Sequence, residues 1–143
     1  MRAGGWRVIM VVAPFVAVCA GGCSSLNLNQ GSNDRLQEAL MYYHAHLRAG
    51  DIDQAGAYVG QEAYEQFAAL HDQKRSQMRI EEFTIQSVNP DSKSSRAIVI
   101  VDAETRNASS ITMKTVRFRE EWLNRMEGWR MVKEDMVVPK PGP

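Results

Sequence analysis

Three histidines are the first residues whose chemistry could serve a site, and His44 and His46 lie two positions apart. On a helix this spacing sets the two side chains about 200° apart, so they cannot hold one metal ion together. A metal site on one helix needs a spacing of three or four residues. His71 could reach either histidine only through tertiary packing. We therefore expect ordinary histidines at the boundary of a core, with no metal site and no cofactor.

Asp102 is the best candidate for a carboxylate with unusual chemistry. It follows a run of four apolar residues, and Glu104 continues the same face of an alternating strand. Apolar walls would raise the pKa of such a carboxyl and suit it to acid–base work. A strand that passes from the core to its rim gives the same pattern. We therefore assign no catalytic residue and keep Asp102 as the one candidate.

Aromatic side chains are numerous enough to line a pocket, although any core of this size contains as many. Packing is the favoured role for them. If a pocket exists, we expect it to be lined by Tyr43, His44, Phe118 and Trp122. The sequence contains no glycine-rich phosphate loop, nucleophile elbow or paired-cysteine metal motif.

Composition limits the class of partner. The chain of 143 residues has 17 basic and 17 acidic side chains, so its formal charge is balanced. This balance disfavours nucleic acid as a partner. Cys19 and Cys23 are its only two cysteines. Because both lie in or beside an apolar leader, the rest of the chain forms no disulfide and offers no catalytic thiol.

The first 22 residues have the organisation of an export signal. Arg2 and Arg7 make the start basic, and residues 8–20 are almost wholly apolar. That run is shorter than the roughly 20 residues that a spanning helix needs. Ala20-Gly21-Gly22-Cys23 then resembles a bacterial lipobox. The resemblance implies cleavage before Cys23 and lipid on its thiol, and two or three acyl chains would anchor the protein stably.

Other readings of the leader stay open. The usual lipobox leucine is replaced by Ala20, and an ordinary cleaved signal peptide is the alternative. Cys19 follows the bulky Val18 and is rejected as the lipid acceptor. Ser24 resembles the signal that directs enterobacterial lipoproteins to the outer membrane. The expected location is therefore the bacterial cell envelope, anchored by lipid to the outer membrane and facing the periplasm.

The mature chain divides into a tether, one domain and a tail. Residues 23–33 are small and polar without periodicity, which predicts a lipidated N-terminus and a flexible tether. Residues 34–138 carry the patterns of a single α+β domain. The proline-rich residues 139–143 cannot continue a strand and are expected to be disordered.

Helices are predicted first in the domain and strands after them. Apolar residues recur at helical spacing from Leu36 to Leu47, and Gly50 supplies a stop. A short helix after Asp51 and a third over residues 61–78 follow. Four strands are then predicted, at residues 79–88, 96–105, 111–123 and 129–138. This order predicts helices packed on a curved antiparallel sheet of about four strands.

Three features carry a resemblance to a known superfamily. They are the first helix, the break Ala49-Gly50-Asp51-Ile52-Asp53 into a second helix, and the closing hairpin Phe118 to Val132, which ends in Gly128-Trp129-Arg130-Met131-Val132. Together they resemble cystatin-like, nuclear-transport-factor-2-like domains. The resemblance implies a bent sheet that wraps a long helix and leaves a conical pocket, which is catalytic in some members and only a cavity or an interface in others. Such domains often pair through the sheet, so the resemblance leaves a homodimer open.

Three functions remain after these exclusions. The leading hypothesis is a lipid-anchored envelope domain that binds a protein partner or a small apolar ligand without chemistry. The second is a pocket enzyme of the isomerase or dehydratase kind, which requires Asp102 or Glu104 to face a cavity. The third is a structural envelope component whose sheet face is filled by bulky side chains.

Overall fold

Helices come first along the chain and strands follow. The computed structural model describes residues 28–75 and 77–137. The helices are α1 (Leu28–Ala49), α2 (Ile52–Gly56) and α3 (Tyr64–Arg75), and a 3-10 turn at Gln61–Ala63 precedes α3. The strands are β1 (Met78–Pro90), β2 (Arg96–Asn107), β3 (Met113–Arg125) and β4 (Gly128–Val137). They form one antiparallel sheet in the order β1-β2-β3-β4, which confirms the predicted α+β class.

Helix α1 packs its apolar stripe on the sheet and ends as the sequence predicts. Its buried side chains include Leu36, Leu40, Tyr43 and Leu47, which recur every three or four residues. Gly50 follows the helix at a φ of 77°, a left-handed conformation that favours glycine. The Gly50 and Asp51 amides then bond to the carbonyls of residues 47 and 46. This is the Schellman ending, and it satisfies carbonyls that the helix leaves unpaired.

The first helix begins earlier than predicted, which corrects the tether boundary. Residues 28–33 were expected to belong to the tether, but they form the first turns of α1. Ser32 ties these turns to the domain, because its hydroxyl donates to the Ser94 carbonyl at 3.3 Å. Its own carbonyl accepts the Trp129 indole N–H at 3.0 Å. The N-terminal end of α1 is therefore fixed beside the turns that connect β1 to β2 and β3 to β4.

The sheet has one buried face and one partly exposed face. Strand β2 has a neighbour on each side, and Ala97, Val99, Val101 and Ala103 alternate along its buried face. The core therefore lies between this face and the helices. Strand β1 carries irregularities at residues 80–82 and 85–87. Such bulges bend a strand and increase its twist.

The strand ends differ from prediction by a few residues. Asn89 and Pro90 were expected to stop β1, yet both pair with β2, since proline is tolerated on an edge strand. The other edge strand, β4, is partly covered by the segment after α2. There the Gly60 amide donates to the Met131 carbonyl, and the Met131 amide to the Tyr58 carbonyl, each at 2.8 Å.

The predicted signal peptide, Cys23 and the proline-rich tail lie outside the described residues. Within residues 28–75 and 77–137, no helix combines the length and apolar character needed to cross a membrane.

Candidate functional site

A cavity of about 440 Å³ lies where the C-terminal end of α1 meets α3 and the sheet. The beginning of β1, the end of β2 and the adjoining part of β3 form its opposite wall. Most of its lining is aliphatic or aromatic, and this volume is within the range of small-molecule pockets. The lining consists of Leu47, Arg48, Ala49, Gly50, Ile52, Leu70, His71, Met78, Arg79, Ile80, Thr105, Ala108 and Phe118.

Two buried polar side chains reach this cavity, and both have partners. The Thr105 hydroxyl donates to the Lys114 carbonyl at 3.0 Å. His71 lies on the buried side of α3, and its Nε2 is 2.9 Å from the Glu134 carboxylate. The Tyr43 hydroxyl donates to the same Glu134 oxygen at 3.4 Å. His71 is therefore the link between the cavity wall and a polar cluster in the core.

A second histidine–glutamate pair lies deeper under α1. His44 Nε2 is 2.7 Å from Glu120 Oε1, and the Trp122 indole N–H donates to Glu120 Oε2 at 2.9 Å. The Glu120 side chain is only 1% exposed. A carboxylate buried to this degree needs a charged or hydrogen-bonding partner, and His44 with Trp122 supplies both.

The charges of this cluster change the acidity of its members. Burial lowers the pKa of His44, but attraction to and hydrogen bonding with Glu120 outweigh it and raise the pKa above 6.5. Burial, followed by the charges of Glu134 and Glu120, raises the pKa of Tyr43 well above 10.0. Tyr43 therefore remains a protonated hydrogen-bond donor, and His44 binds a proton more readily than a free imidazole does.

The candidate carboxylate Asp102 lies on the other face of the sheet. Its two oxygens accept from the Arg117 guanidinium at 2.7 and 2.8 Å, and this pairing lowers the pKa of Asp102. Glu104 is exposed on the same face. Neither carboxylate lines the cavity, because β2 directs its even-numbered side chains away from the helices.

Of the four residues expected to line a pocket, the structure places one, Phe118, against the cavity. Tyr43, His44 and Trp122 are buried in the core beside it, where the Tyr43 and Trp122 rings meet edge to face with centroids 5.4 Å apart. His46 is half-buried with its ring stacked near Tyr58, so His44 and His46 do face different surroundings.

Sequence reasoning missed the two buried glutamates, for different reasons. Glu120 lies between Phe118 and Trp122 in an alternating strand, so the period-two pattern could have placed it inward. Glu134 follows a register shift in β4, where Trp122 pairs with Met131 but Glu121 pairs with Lys133. Strict alternation from Met131 would have turned Lys133 inward and Glu134 outward.

Metal ligation has no support in the described part of the chain, where no three His, Cys, Asp or Glu side chains are placed to hold one ion. The buried polar cluster consists of two histidine–glutamate pairs instead. Of these four residues, only His71 lines the cavity, so its imidazole is the group of the cluster that can meet a molecule bound there.

Solved structures with a similar course of the chain come from several bacteria. A ketosteroid isomerase-like protein from Erwinia carotovora atroseptica aligns with a TM-score of 0.58 and 13% identity, over 74% of this chain and 96% of that one. A domain of unknown function with a cystatin-like fold from Nostoc punctiforme gives 0.60 and 13%, over 75% and 76%. An NTF-2 like protein of unknown function from Shewanella oneidensis gives 0.57 and 17%, over 74% and 98%.

The sequence itself matches no protein-family model and no curated protein. At such low identities the structural likeness concerns the path of the backbone, and function depends on the residues of the site. This structural similarity agrees with the sequence resemblance noted at the break around Gly50 and in the closing strand. The described part of the chain therefore has the cystatin-like, nuclear-transport-factor-2-like fold.

Proposed function

We propose that this chain is a lipid-anchored protein of the bacterial cell envelope whose domain binds a small, largely apolar molecule without chemical change. The observation that carries the binding role is the cavity of about 440 Å³ at the end of α1. Burial of ligand surface against its aliphatic and aromatic wall would supply the affinity. The anchor is supported by the basic start, the apolar run and the lipobox-like residues before Cys23.

Side chains fill the middle of the sheet face but leave one end of it open, and this arrangement favours a binding role over a purely structural one. Trp122, Tyr43 and Phe67 fill the middle of the domain with fully buried side chains. The cavity remains at one end, where α1 stops at Ala49. A component with only a structural role would gain stability from filling this space, because unfilled volume in a core costs free energy.

Blocking the cavity tests the binding role. Leu70 lines the cavity and is half-buried, so Leu70→Trp should fill the space and weaken binding of the neutral dye Nile red by about tenfold or more. Leu123→Trp is the matched control, since Leu123 is half-buried on the other face of the sheet. Fluorescence titration of the mature Cys23→Ser protein, which lacks competing acyl chains, measures both. Equal affinity of the two folded variants would contradict the proposal.

The lipid anchor is tested separately. We expect wild type and Cys19→Ser to incorporate labelled palmitate and to fractionate with membranes, because the lipobox-like residues precede Cys23. Cys23→Ser should be unlabelled and released from the membrane. Unlabelled, soluble wild-type protein would remove the anchor and leave the binding proposal standing.

A pocket enzyme is the second candidate, in a form that does not use Asp102 or Glu104, and one observation favours it. His71 lines the cavity while Glu134 holds its Nε2 at 2.9 Å. A histidine oriented by a carboxylate is an arrangement suited to proton transfer. Incubation with enolisable apolar ketones in deuterated water tests it. Exchange that is lost in His71→Gln would establish catalysis and overturn the binding-only role.

A further inference from the structure

We propose that the ligand of this cavity is a single-chain amphiphile with an acidic headgroup, a carboxylate or a phosphate, on an apolar body. This inference rests on the proposed function, since it names the class of molecule that the cavity binds. It follows from the distribution of charge around the lining.

The cavity lining carries positive charge and no negative charge. Arg48 and Arg79 are its two exposed charged residues, and His71 adds an imidazole. Among the described residues that line the cavity, none is an aspartate or a glutamate. Charges of one sign at the edge of an apolar hollow raise the local concentration of ligands of the opposite sign.

Neither arginine is neutralised by a close partner. Arg79 lies 4.0 Å from Glu81, and its side chain is 80% exposed. Glu81 is shared with Arg106 at 3.7 Å, so one carboxylate serves two guanidiniums. For Arg48, the described residues include no carboxylate within ion-pairing distance. Both guanidiniums thus keep donors for a ligand headgroup, and such forks suit carboxylate and phosphate oxygens.

The negative groups near the cavity lie outside its lining or already accept hydrogen bonds. The C-terminal end of α1 carries partial negative charge, but the carbonyls of residues 46 and 47 accept the Asp51 and Gly50 amides. Asp51 caps α2 by accepting the Gln54 amide at 3.3 Å. Asp51 and Asp53 line an adjacent hollow that shares Ala49, Gly50 and Ile52 with the cavity, but neither carboxylate is part of the cavity lining. The arginines are therefore the charged side chains of the lining that a headgroup meets.

The apolar part of the lining fits the remainder of an amphiphile. Leu47, Leu70, Ile80 and Phe118 are among the apolar residues of the lining, and Thr105 donates its hydroxyl to the backbone instead of to the cavity. An aliphatic chain gains affinity with each methylene that it buries. The aliphatic part of the ligand would supply the affinity, and its headgroup would supply the selectivity.

A headgroup series tests this assignment on the mature Cys23→Ser protein. The probes are dodecanoate, dodecyl phosphate, dodecanol and dodecylammonium, each below its micelle concentration and at low ionic strength. The titrations are made at a pH of about 8, where the carboxylate is ionised and the amine is protonated. Calorimetry then compares wild type with Arg48→Gln, Arg79→Gln and the double variant. Arg35→Gln is the matched control, because Arg35 is exposed on α1 towards its other end.

We expect the acidic probes to bind several-fold more tightly than dodecanol, and dodecylammonium more weakly than dodecanol. Each arginine substitution should weaken binding of the acidic probes by roughly two- to fivefold and leave dodecanol unchanged. Added salt should reduce the difference in affinity between the acidic probes and dodecanol. Tighter binding of dodecanoate alone would identify a carboxylate, and of dodecyl phosphate alone a phosphate.

Two results would overturn the assignment, and they differ in meaning. Equal binding of all four probes, unchanged in the double variant, would remove the acidic headgroup and leave an apolar cavity ligand. Failure of every probe to bind folded wild-type protein would remove the proposed function as well.

Discussion

Glu120 and Glu134 carry carboxylates into the interior of the domain, and each meets a histidine there. Such pairs are costly to break, because removal of one partner leaves a buried polar group without compensation. Glu120 is enclosed by His44 and Trp122, whereas Glu134 holds a histidine that reaches the cavity. The two pairs therefore differ in role. The first pair is enclosed in the packed core, whereas the second holds a histidine at the cavity wall.

Protonation of His44 makes the stability of the domain depend on pH. Its pKa in the folded state is raised above the unfolded value of 6.5, because Glu120 and Glu134 favour the charged form against the effect of burial. The stabilisation is complete below 6.5 and is lost as pH rises through the folded pKa. The free energy of unfolding should therefore fall as pH rises from 6.5 through the folded pKa, by at most about 1.4 kcal/mol per pH unit for this proton.

Urea unfolding of wild type and His44→Gln across this range measures the effect. In the His44→Gln protein, most of the dependence of the unfolding free energy on pH should disappear, since glutamine does not titrate in this range. His46→Gln is the matched control, because it removes a half-buried histidine from the same helix. A wild-type slope that survives in His44→Gln would contradict this account.

Helix α1 is the element that connects the turns at one end of the sheet, the core and the cavity. Its 22 residues begin beside the turns at one end of the sheet and finish at the cavity. Gly31 lies within its first turns with nothing within 4 Å of an added Cβ. Gly50, just beyond its end, has a φ of 77° that strains any residue with a side chain.

Two glycine substitutions should have opposite effects on stability. Gly31→Ala should raise the free energy of unfolding by about 0.5–1 kcal/mol, because alanine favours a helix interior. Gly50→Ala should lower it by about 1–2 kcal/mol, because alanine resists a left-handed conformation. Denaturant unfolding measures both. No change in Gly31→Ala would indicate that residues 28–33 behave as tether and not as helix.

Sequence patterns predicted the elements better than their ends. The apolar stripe from Leu36 to Leu47 and the apolar run of β2 are both buried in the structure. Their spacing in the sequence is a strong periodic signal, which is why the helix and the central strand could be predicted. The start of α1 gives no such signal, because it is held through the polar Ser32, whose partners Ser94 and Trp129 are distant in sequence. Tertiary contacts also determine the cavity and the inward turn of Glu134, so no local pattern could have predicted either.

At the scale of the whole molecule, the fold separates the N-terminal end from the cavity. Helix α1 extends about 33 Å at 1.5 Å per residue, with the cavity at its far end. Only residues 24–27 separate Cys23 from the helix, and the five steps from Cys23 to Leu28 reach at most about 18 Å. An anchor at Cys23 would therefore hold the turns near the membrane and direct the cavity away from it.

Single-cysteine labelling tests this orientation, because Cys23 is the only cysteine from residue 23 onward. Met126 is exposed in the turn between β3 and β4, and Ile111 is exposed in the loop between β2 and β3 at the opposite end of the sheet. In the lipidated protein, nitroxide lipids should quench a fluorophore at Met126→Cys more strongly than one at Ile111→Cys. Equal quenching, or the reverse order, would contradict the orientation.

The proposed binding role requires that the cavity beside Leu70 and Phe118 hold a small apolar molecule. A crystal structure of the mature Cys23→Ser protein grown with a bromine-labelled aliphatic alcohol tests this occupancy. We predict anomalous bromine density inside this cavity, and none there in Leu70→Trp crystals. Bromine found only on the outer face of the sheet, with the wild-type cavity empty, would contradict the account.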